Sequence, residues 1–412
     1  MNDEIAGAFS RPPSLVLPKP VAWMLTDGRG IKDGMEFFAG LCDQLVESGL
    51  PLWRANLSAR VLHPQLSAIN LIWRRGAAIE RIEREYTTIQ SDAYLNSPIR
   101  VIYEGAAGLR RRLDIPNPHL DFPILGELRA AGATDYVAMA VPDWQGQSAA
   151  LSWASDRSGG FSVSDLTMLN DILPLLGLFI ERYKAHNVAN NVLHTYLGAQ
   201  TGQRVLHGSI RRGEVEAIHA ALWYCDLRGF TALSDAIPAD ELIELLNAYF
   251  EAVGEPVLAR GGEILKFIGD AMLAIFPLDA EVGRERICLA LEAAIEALEN
   301  VAKINEGRSA ERKRVIRLGI ALHIGDVAYG NIGTPARLDF TVIGPAVNKV
   351  VRIEALSKAL DRSLLVSSDF AKACVYPVDS LGFHPLRGIS EPEEIFALAA
   401  AGHDAMARRA LS

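Results

Sequence analysis

Ile264-Leu265-Lys266-Phe267-Ile268-Gly269-Asp270-Ala271-Met272-Leu273-Ala274-Ile275-Phe276 sets two apolar, β-prone runs on either side of a Gly–Asp pair. Two turn residues between two such runs predict a tight β-hairpin. The hairpin carries one carboxylate, Asp270, at its tip and one cation, Lys266, inside an apolar strand. Upstream, residues 220–225 form an apolar strand candidate that ends at Asp226, followed by Leu227-Arg228-Gly229-Phe230-Thr231. Taken singly, these are a turn aspartate and a snorkelling lysine. Taken together, two strand-end carboxylates beside glycines point to a divalent-metal site for phosphate chemistry.

Outward from the hairpin, residues 239–258 and 280–302 carry helical apolar spacing, and 317–323, 339–343 and 363–366 read as strands. A glycine-rich passage covers 325–333, a helix 346–360, and closing strands 381–386 and 394–398. Strand–helix–strand–strand–helix–strand is the ferredoxin-like order, in which the first strand lies beside the central hairpin. Asp226 and Asp270 then fall within reach of one metal pair. The third informative stretch is Gly344-Pro345-Ala346-Val347-Asn348-Lys349-Val350-Val351-Arg352. Pro345 suits a first helical turn. Asn348 and Arg352 share one helix face, and Val347, Val350 and Val351 are expected to bury the other. Alone, the Asn–Arg pair reads as a solvated face; beside two carboxylates it reads as a claw for phosphate oxygens.

Asp226-Leu227-Arg228-Gly229-Phe230-Thr231, Lys266-Phe267-Ile268-Gly269-Asp270, and Thr341-Val342-Ile343-Gly344 followed by Val347-Asn348 and Arg352 resemble the three signature blocks of class III nucleotide cyclases. The resemblance covers residues 216–401. It implies an α+β catalytic domain with a ferredoxin-like βαββαβ core, acting as an adenylate cyclase that converts ATP to 3′,5′-cyclic AMP and pyrophosphate. Asp226 and Asp270 match the metal-binding aspartates, which hold two Mg²⁺ or Mn²⁺ ions per site. Gly229 and Phe230 match the backbone that cradles phosphate oxygens. Lys266 and Thr341 match the purine-reading pair, where guanylate cyclases resemble a Glu–Cys pair, so ATP is the implied substrate. Asn348 and Arg352 match the transition-state residues, and Arg387 the cation on the terminal phosphates. The family further implies a homodimer whose active sites are shared between two subunits. Pro345 and Lys349 depart from the common pattern, at positions that touch no catalytic group.

The first half of the chain is less specific. Residues 1–24, with Pro12, Pro13, Pro18 and Pro20, read as an arm. Met35, Phe38, Leu41, Leu45 and Val46 recur at helical spacing; 55–62 and 67–73 alternate as strands, with a further run at 100–103. A helix at 122–131, strands at 136–141 and 149–155 around an Asp143–Gly146 turn, and a long helix from Phe161-Ser162 follow. Helix, mixed sheet and closing helix resemble a GAF-type sensory domain over 25–185, with a PAS-like sheet as the alternative. Any small-molecule ligand it binds is not readable from these residues. Leu169, Ile172, Leu176, Phe179, Tyr183, His186, Asn190, Leu193 and Leu197 then step by threes and fours, as a heptad seam does. Packing on the domain's own sheet explains the first half equally well. Gly198 and Gly202 are expected to break the helix, within a helical linker over 186–215 that ends in a basic connector; 402–412 reads as a tail.

A length of 412 residues with half of them hydrophobic supplies two cores. A net charge of −9 and a pI near 5.6 argue against a nucleic-acid surface. Cys42, Cys225, Cys288 and Cys374 are scattered, which suggests neither a zinc site nor a disulfide framework. The apolar run at 172–180 carries Pro174 and is too short to span a bilayer, so a cytoplasmic protein with no membrane span is expected. Three other functions compete. A guanylate cyclase is opposed by Lys266 and Thr341. A diguanylate cyclase is suggested by Gly261-Gly262-Glu263-Ile264 but lacks the rest of its signature. A catalytically weak dimeric signal-binding module normally loses a metal aspartate or the arginine, and here all are present.

Overall fold

The structure is a computed structural model and describes residues 17–142, 149–278 and 283–400. Pro12 and Pro13, the Asp143–Gly146 turn, the start of the helix expected from 280, and the 402–412 tail lie outside the described residues. The chain forms two compact units, Met1–Val192 and Leu193–Ser412.

The first unit runs α1 (Gly34–Glu47), β1 (Arg54–Arg60), β2 (Leu66–Arg74), β3 (Glu80–Glu85), α2 (Pro98–Tyr103), β4 (Gly108–Arg112), α3 (Pro123–Ala130), β5 (Asp135–Val141), β6 (Ala149–Ser155) and α4 (Val163–Leu197). Within the segment expected as an arm, Lys19–Leu25 is helical and buries Met24. Asp33 caps α1 by accepting from the Met35 and Glu36 amides at 2.7 and 2.9 Å. The sheet order is β3-β2-β1-β6-β5-β4. Every pairing is antiparallel, which corrects the mixed sheet expected from sequence. The run at 100–103 is helical, because the Ser97 hydroxyl accepts from the Arg100 amide at 3.2 Å and Pro98 takes the first turn.

One face of this sheet is apolar. Ala55, Leu57, Leu71, Trp73, Leu151 and Trp153 pack against α1 and the first half of α4, and the Phe37 and Phe179 rings stack at 4.6 Å. By length and composition alone α4 could cross a bilayer, but its apolar residues Leu169, Ile172, Leu173, Leu176, Phe179 and Ile180 are buried in this core. Pro174 lies inside the helix without ending it. The seam continues through Tyr183, whose hydroxyl donates to the Ile31 carbonyl at 2.8 Å; beyond it His186 is exposed and Asn190 half-buried.

The second unit runs α5 (Ala199–Leu206), β7 (Val215–Leu227), α6 (Phe230–Ser234), α7 (Ala239–Ala259), β8 (Glu263–Ile268), β9 (Ala271–Pro277), α8 (Gly283–Ala310), β10 (Leu318–Thr334), β11 (Arg337–Ile343), α9 (Pro345–Ala355), β12 (Leu364–Ser367), α10 (Ser368–Ala373), β13 (Val378–His384) and β14 (Glu393–Leu398). The sheet order is β13-β14-β12-β10-β7-β9-β8, with β11 paired to β10. β7 is therefore flanked by β9 and β10. Helices α7 and α8 cover one face through Tyr249, Val253, Leu291 and Ala294. α9 covers the other through Ala346, Val350 and Ile353.

The glycine-rich passage at 325–333 is strand, not loop. Ala328 pairs with Ala217 on one side and Ile343 on the other, and two ladders outweigh the weak strand preference of glycine. Gly202 does not break a helix; it lies inside α5, where a side chain would collide with the His194 ring. The break comes at Gly198, whose φ of 84° is left-handed. The four cysteines are free thiols, three of them buried.

Asp135 is fully buried at the start of β5, with Arg110 Nη2 at 2.7 Å and the Phe161 amide at 3.0 Å. Arg110→Met leaves that carboxylate without its cation and should cost the first unit about 3 kcal/mol, read by urea denaturation. Arg110→Lys should recover part of the loss, and unchanged stability in the Met variant would exclude the pair as a determinant.

Candidate active site

Asp226 follows six buried residues of β7, and Asp270 closes the turn between β8 and β9. Cys225 pairs with Met272, so the next step sets Asp226 opposite Ala271, diagonal to Asp270, and the two carboxyl groups come within hydrogen-bonding reach. Burial, then the Asp270 carboxylate, pushes the Asp226 carboxyl up to about 7. Immediately beyond, Gly229 is left-handed and opens the one-turn helix α6 at Phe230.

A third carboxylate faces this pair. Glu354 of α9 is 8% exposed, accepts from the Ser357 hydroxyl at 3.0 Å, and has its carboxyl pushed up by burial and by Asp270. It fits because β10 offers Gly319 opposite Asp226; a side chain at Gly319 would collide with the Glu354 carboxyl. Arg228 fastens the arrangement, donating from Nη2 to the carbonyls of Ser357 and Arg362 at 3.0 and 2.6 Å.

Lys266 and Thr341 lie on neighbouring elements. A register shift between Ile264 and Lys266 turns the lysine, and its Nζ stands 4.0 Å from the Asp339 carboxylate on β11. Thr341 lies two residues along the same strand, so it shares a face with Asp339. It is 5% exposed, and its hydroxyl is buried with no hydrogen-bond partner.

On α9 the buried residues are Ala346, Val350, Ile353 and Glu354. Val351, expected inside, is 37% exposed, because Ile353 takes the inward position. Asn348 is exposed and Arg352 half-buried. At 100° per residue, Arg352 points about 200° away from Glu354. The helix thus turns Glu354 to its own chain's aspartate pair, and Asn348 with Arg352 elsewhere. The exposed Arg387 precedes Gly388, where a Cβ would lie 3.5 Å from Arg352 Nη2. Lys349 is held by Glu393 at 2.7 Å and Asp369 at 3.3 Å.

Residues 216–396 match the family model described as the adenylate and guanylate cyclase catalytic domain. This segment is similar to nucleotide cyclase catalytic domains. An adenylate cyclase of Anabaena cylindrica is 34% identical, over 40% of this chain and 32% of its own. An uncharacterized protein of Mycobacterium tuberculosis is 36% identical, over 37% of this chain and 26% of its own. The chain thus spans about a third or less of the length of these relatives. A solved bacterial light-regulated adenylyl cyclase is 26% identical, with a TM-score of 0.47, over 56% of this chain and 65% of that one.

The donor set of Asp226 and Asp270 fits a hard divalent cation. Two carboxylates are held together against their own repulsion, and a doubly charged ion relieves it. Among the described residues no cluster of three or more His, Cys, Asp or Glu side chains is set to hold a metal. One or two carboxylates, with phosphate and water completing the shell, is the Mg²⁺ pattern.

Three features escaped the sequence. Glu354 follows Arg352 by two, in a motif read only for its phosphate face. Asp339 beside Lys266 left no pattern. The third is a buried knot at α5, where Glu263, 3% exposed, accepts from the Thr201 amide and hydroxyl at 3.0 and 2.6 Å and from the Tyr329 hydroxyl at 2.7 Å. Its only signal was a carboxylate opening an apolar strand.

A raised Asp226 pKa means that, without metal, the folded state holds a proton the unfolded state has lost between about pH 4 and 7. Stability should therefore fall as pH rises through that window and level off above it. Asp270→Asn removes the repulsion, so its melting temperature should exceed wild type at pH 8 and converge with it near pH 5. Mn²⁺ should raise the wild-type value at pH 8 by several degrees and leave the variant nearly unmoved. Identical pH profiles for the two proteins would contradict the coupling.

Proposed function

We propose that the chain is an adenylate cyclase that converts ATP to 3′,5′-cyclic AMP and pyrophosphate at sites shared by two identical subunits, under the control of its N-terminal unit. The ribose 3′-oxygen attacks the α-phosphorus, the bond from that phosphorus to the bridging oxygen breaks, and pyrophosphate leaves. Two Mg²⁺ or Mn²⁺ ions at Asp226 and Asp270 would supply activation of the 3′-hydroxyl and neutralisation of the triphosphate. The amides around Gly229 and Phe230 receive phosphate oxygens. Asn348 orients the ribose, Arg352 meets charge developing at the α-phosphate, and Arg387 binds the terminal phosphates.

The observation that carries adenine as the base is the orphaned Thr341 hydroxyl on the strand whose Asp339 stands 4.0 Å from Lys266. Adenine offers an acceptor at N1 for the ammonium and an N6 donor for the hydroxyl. The exchange of residues between subunits is supported by α9, which faces Glu354 to its own aspartates and Arg352 away. Phe267, Ile268 and Ile343 are half-exposed around the same hairpins, as a homodimer contact requires. For residues 25–185 we propose a GAF-like sensory domain, supported by the order helix, antiparallel sheet, closing helix. A cytoplasmic location goes with this reading.

Purified protein with Mn²⁺ should turn ATP into cyclic AMP, identified by mass, and turn over GTP at least tenfold more slowly. Asp226→Ala or Asp270→Ala should retain under a few per cent of that rate. Lys266→Glu with Thr341→Cys should weaken ATP use and admit GTP; full preference for ATP in a folded double variant would remove these residues from base reading.

Sharing of the site is tested separately. Asp226→Ala and Asn348→Ala chains, each inactive alone, should regain activity on mixing, because a heterodimer contains one intact site. Heterodimers that form and stay inactive would mean that each chain builds its own site.

A further inference from the structure

We propose that the N-terminal unit holds a binding site for a small organic anion of nucleotide size or less, one that carries hydrogen-bond donors beside its charge. The inference stands on the first unit alone and does not depend on the cyclase reading.

Strand β1 is polar on one side over its whole length. Arg54, Asn56, Ser58 and Arg60 alternate with Ala55, Leu57 and Ala59, so one set faces the apolar core and the other faces away. Such a face normally meets water. Here residues 86–103 and the start of α3 roof it over, leaving a cavity of about 390 Å³, within the range of small-molecule sites. The Tyr103 hydroxyl closes one wall by donating to the Ser58 carbonyl at 2.8 Å.

Two properties of the lining specify the occupant. The first is unmet hydrogen bonding. Asn56 is 7% exposed, flanked by Ile72 and Ser152 on the neighbouring strands, and its amide oxygen has no partner; the same is true of the Asn70 amide oxygen. Buried acceptors without donors are costly, and a ligand with N–H or O–H groups satisfies them. The second is charge. Arg54, Arg60 and Arg84 line the cavity against one carboxylate, Glu127. Among the described residues none of these arginines has a carboxylate within the 4.0 Å of an ion pair, and Arg60 instead stacks over the Tyr103 ring at 4.2 Å. The nearest carboxylates felt by Arg54 are Glu80 and Glu127, with Arg74 opposing them. In a chain with a net charge of −9, unpaired guanidinium groups around a roofed cavity select an anion. Ile72, Ile89, Ile99 and Ile124 complete the wall and suit a compact apolar body.

The test uses the full chain and two families of probe. AMP and GMP form the phosphate arm, with adenosine and guanosine as uncharged counterparts. 2-Oxoglutarate and glutamate form the carboxylate arm, with dimethyl 2-oxoglutarate and glutamine as counterparts of lower charge. Binding is followed by calorimetry, and anions released on heat denaturation are identified by mass. At least one anion should bind once per chain below 1 mM, or co-purify, while its counterpart binds at least tenfold more weakly. Arg84→Gln and Asn56→Ser should each weaken the bound probe tenfold or more. Arg84 is half-buried and belongs to no apolar cluster, so its variant reports on binding without emptying a core. Occupancy should also slow hydrogen exchange at residues 86–103. Binding that survives both variants, or that disappears in Asp226→Asn, belongs elsewhere and overturns the proposal. So does equal binding of a counterpart, or the absence of any bound or extracted anion.

Discussion

Two like charges set side by side constrain the whole second unit. Asp226 and Asp270 repel in the absence of a cation, and nothing local to either residue would keep them together. They are held by the sheet. β7 lies between β9 and β10, both pairings are antiparallel, and the strands are fastened to α7 and α8 by a close-packed apolar face. The core is built from many small gains so that one unfavourable contact survives. Glu354 and Gly319 belong to the same arrangement: a third acid enters because the strand facing Asp226 leaves room for it.

The hairpin of Lys266 and Asp270 was legible because its signal is local: two β-prone runs and two turn residues. The strand before Asp226 and the helix of Asn348 and Arg352 were legible for the same reason. What the sequence hid depends on neighbours distant along the chain. The strand through Gly325 and Gly330 is broken up by glycines and is made a strand by the partners on its two sides. The polar strand Glu80–Glu85 sits at a sheet edge, where apolar alternation is not needed. Ile353 rather than Val351 is buried because helical spacing gives a face but not the direction from which the sheet approaches. Glu354, Asp339 and Thr201 drew no attention, since each acquires its meaning from a residue on another element.

The first unit uses its central strand twice. Ala55 and Leu57 anchor the helices, while Asn56 and Ser58, on the reverse of the same backbone, line a cavity. One strand can serve both purposes only because side chains alternate. The cost is that neither surface can be altered without reference to the other: a residue inserted in β1 would turn arginine into the core and leucine into the cavity.

The knot at Glu263 bears on how α5 can move. Of the three groups that donate to this carboxylate, two belong to Thr201 on α5 and one to Tyr329 on β10. A gradual slide of the helix would strip the Thr201 donors while the acid was still enclosed, leaving a charge with neither water nor adequate partners. Intermediate positions are therefore the least favourable. The helix behaves as a two-position catch, either seated with its bonds complete or far enough away for water to replace them. Glu263 opens the strand that leads to Lys266 and Asp270, so that catch lies at the root of the hairpin on which the site is built.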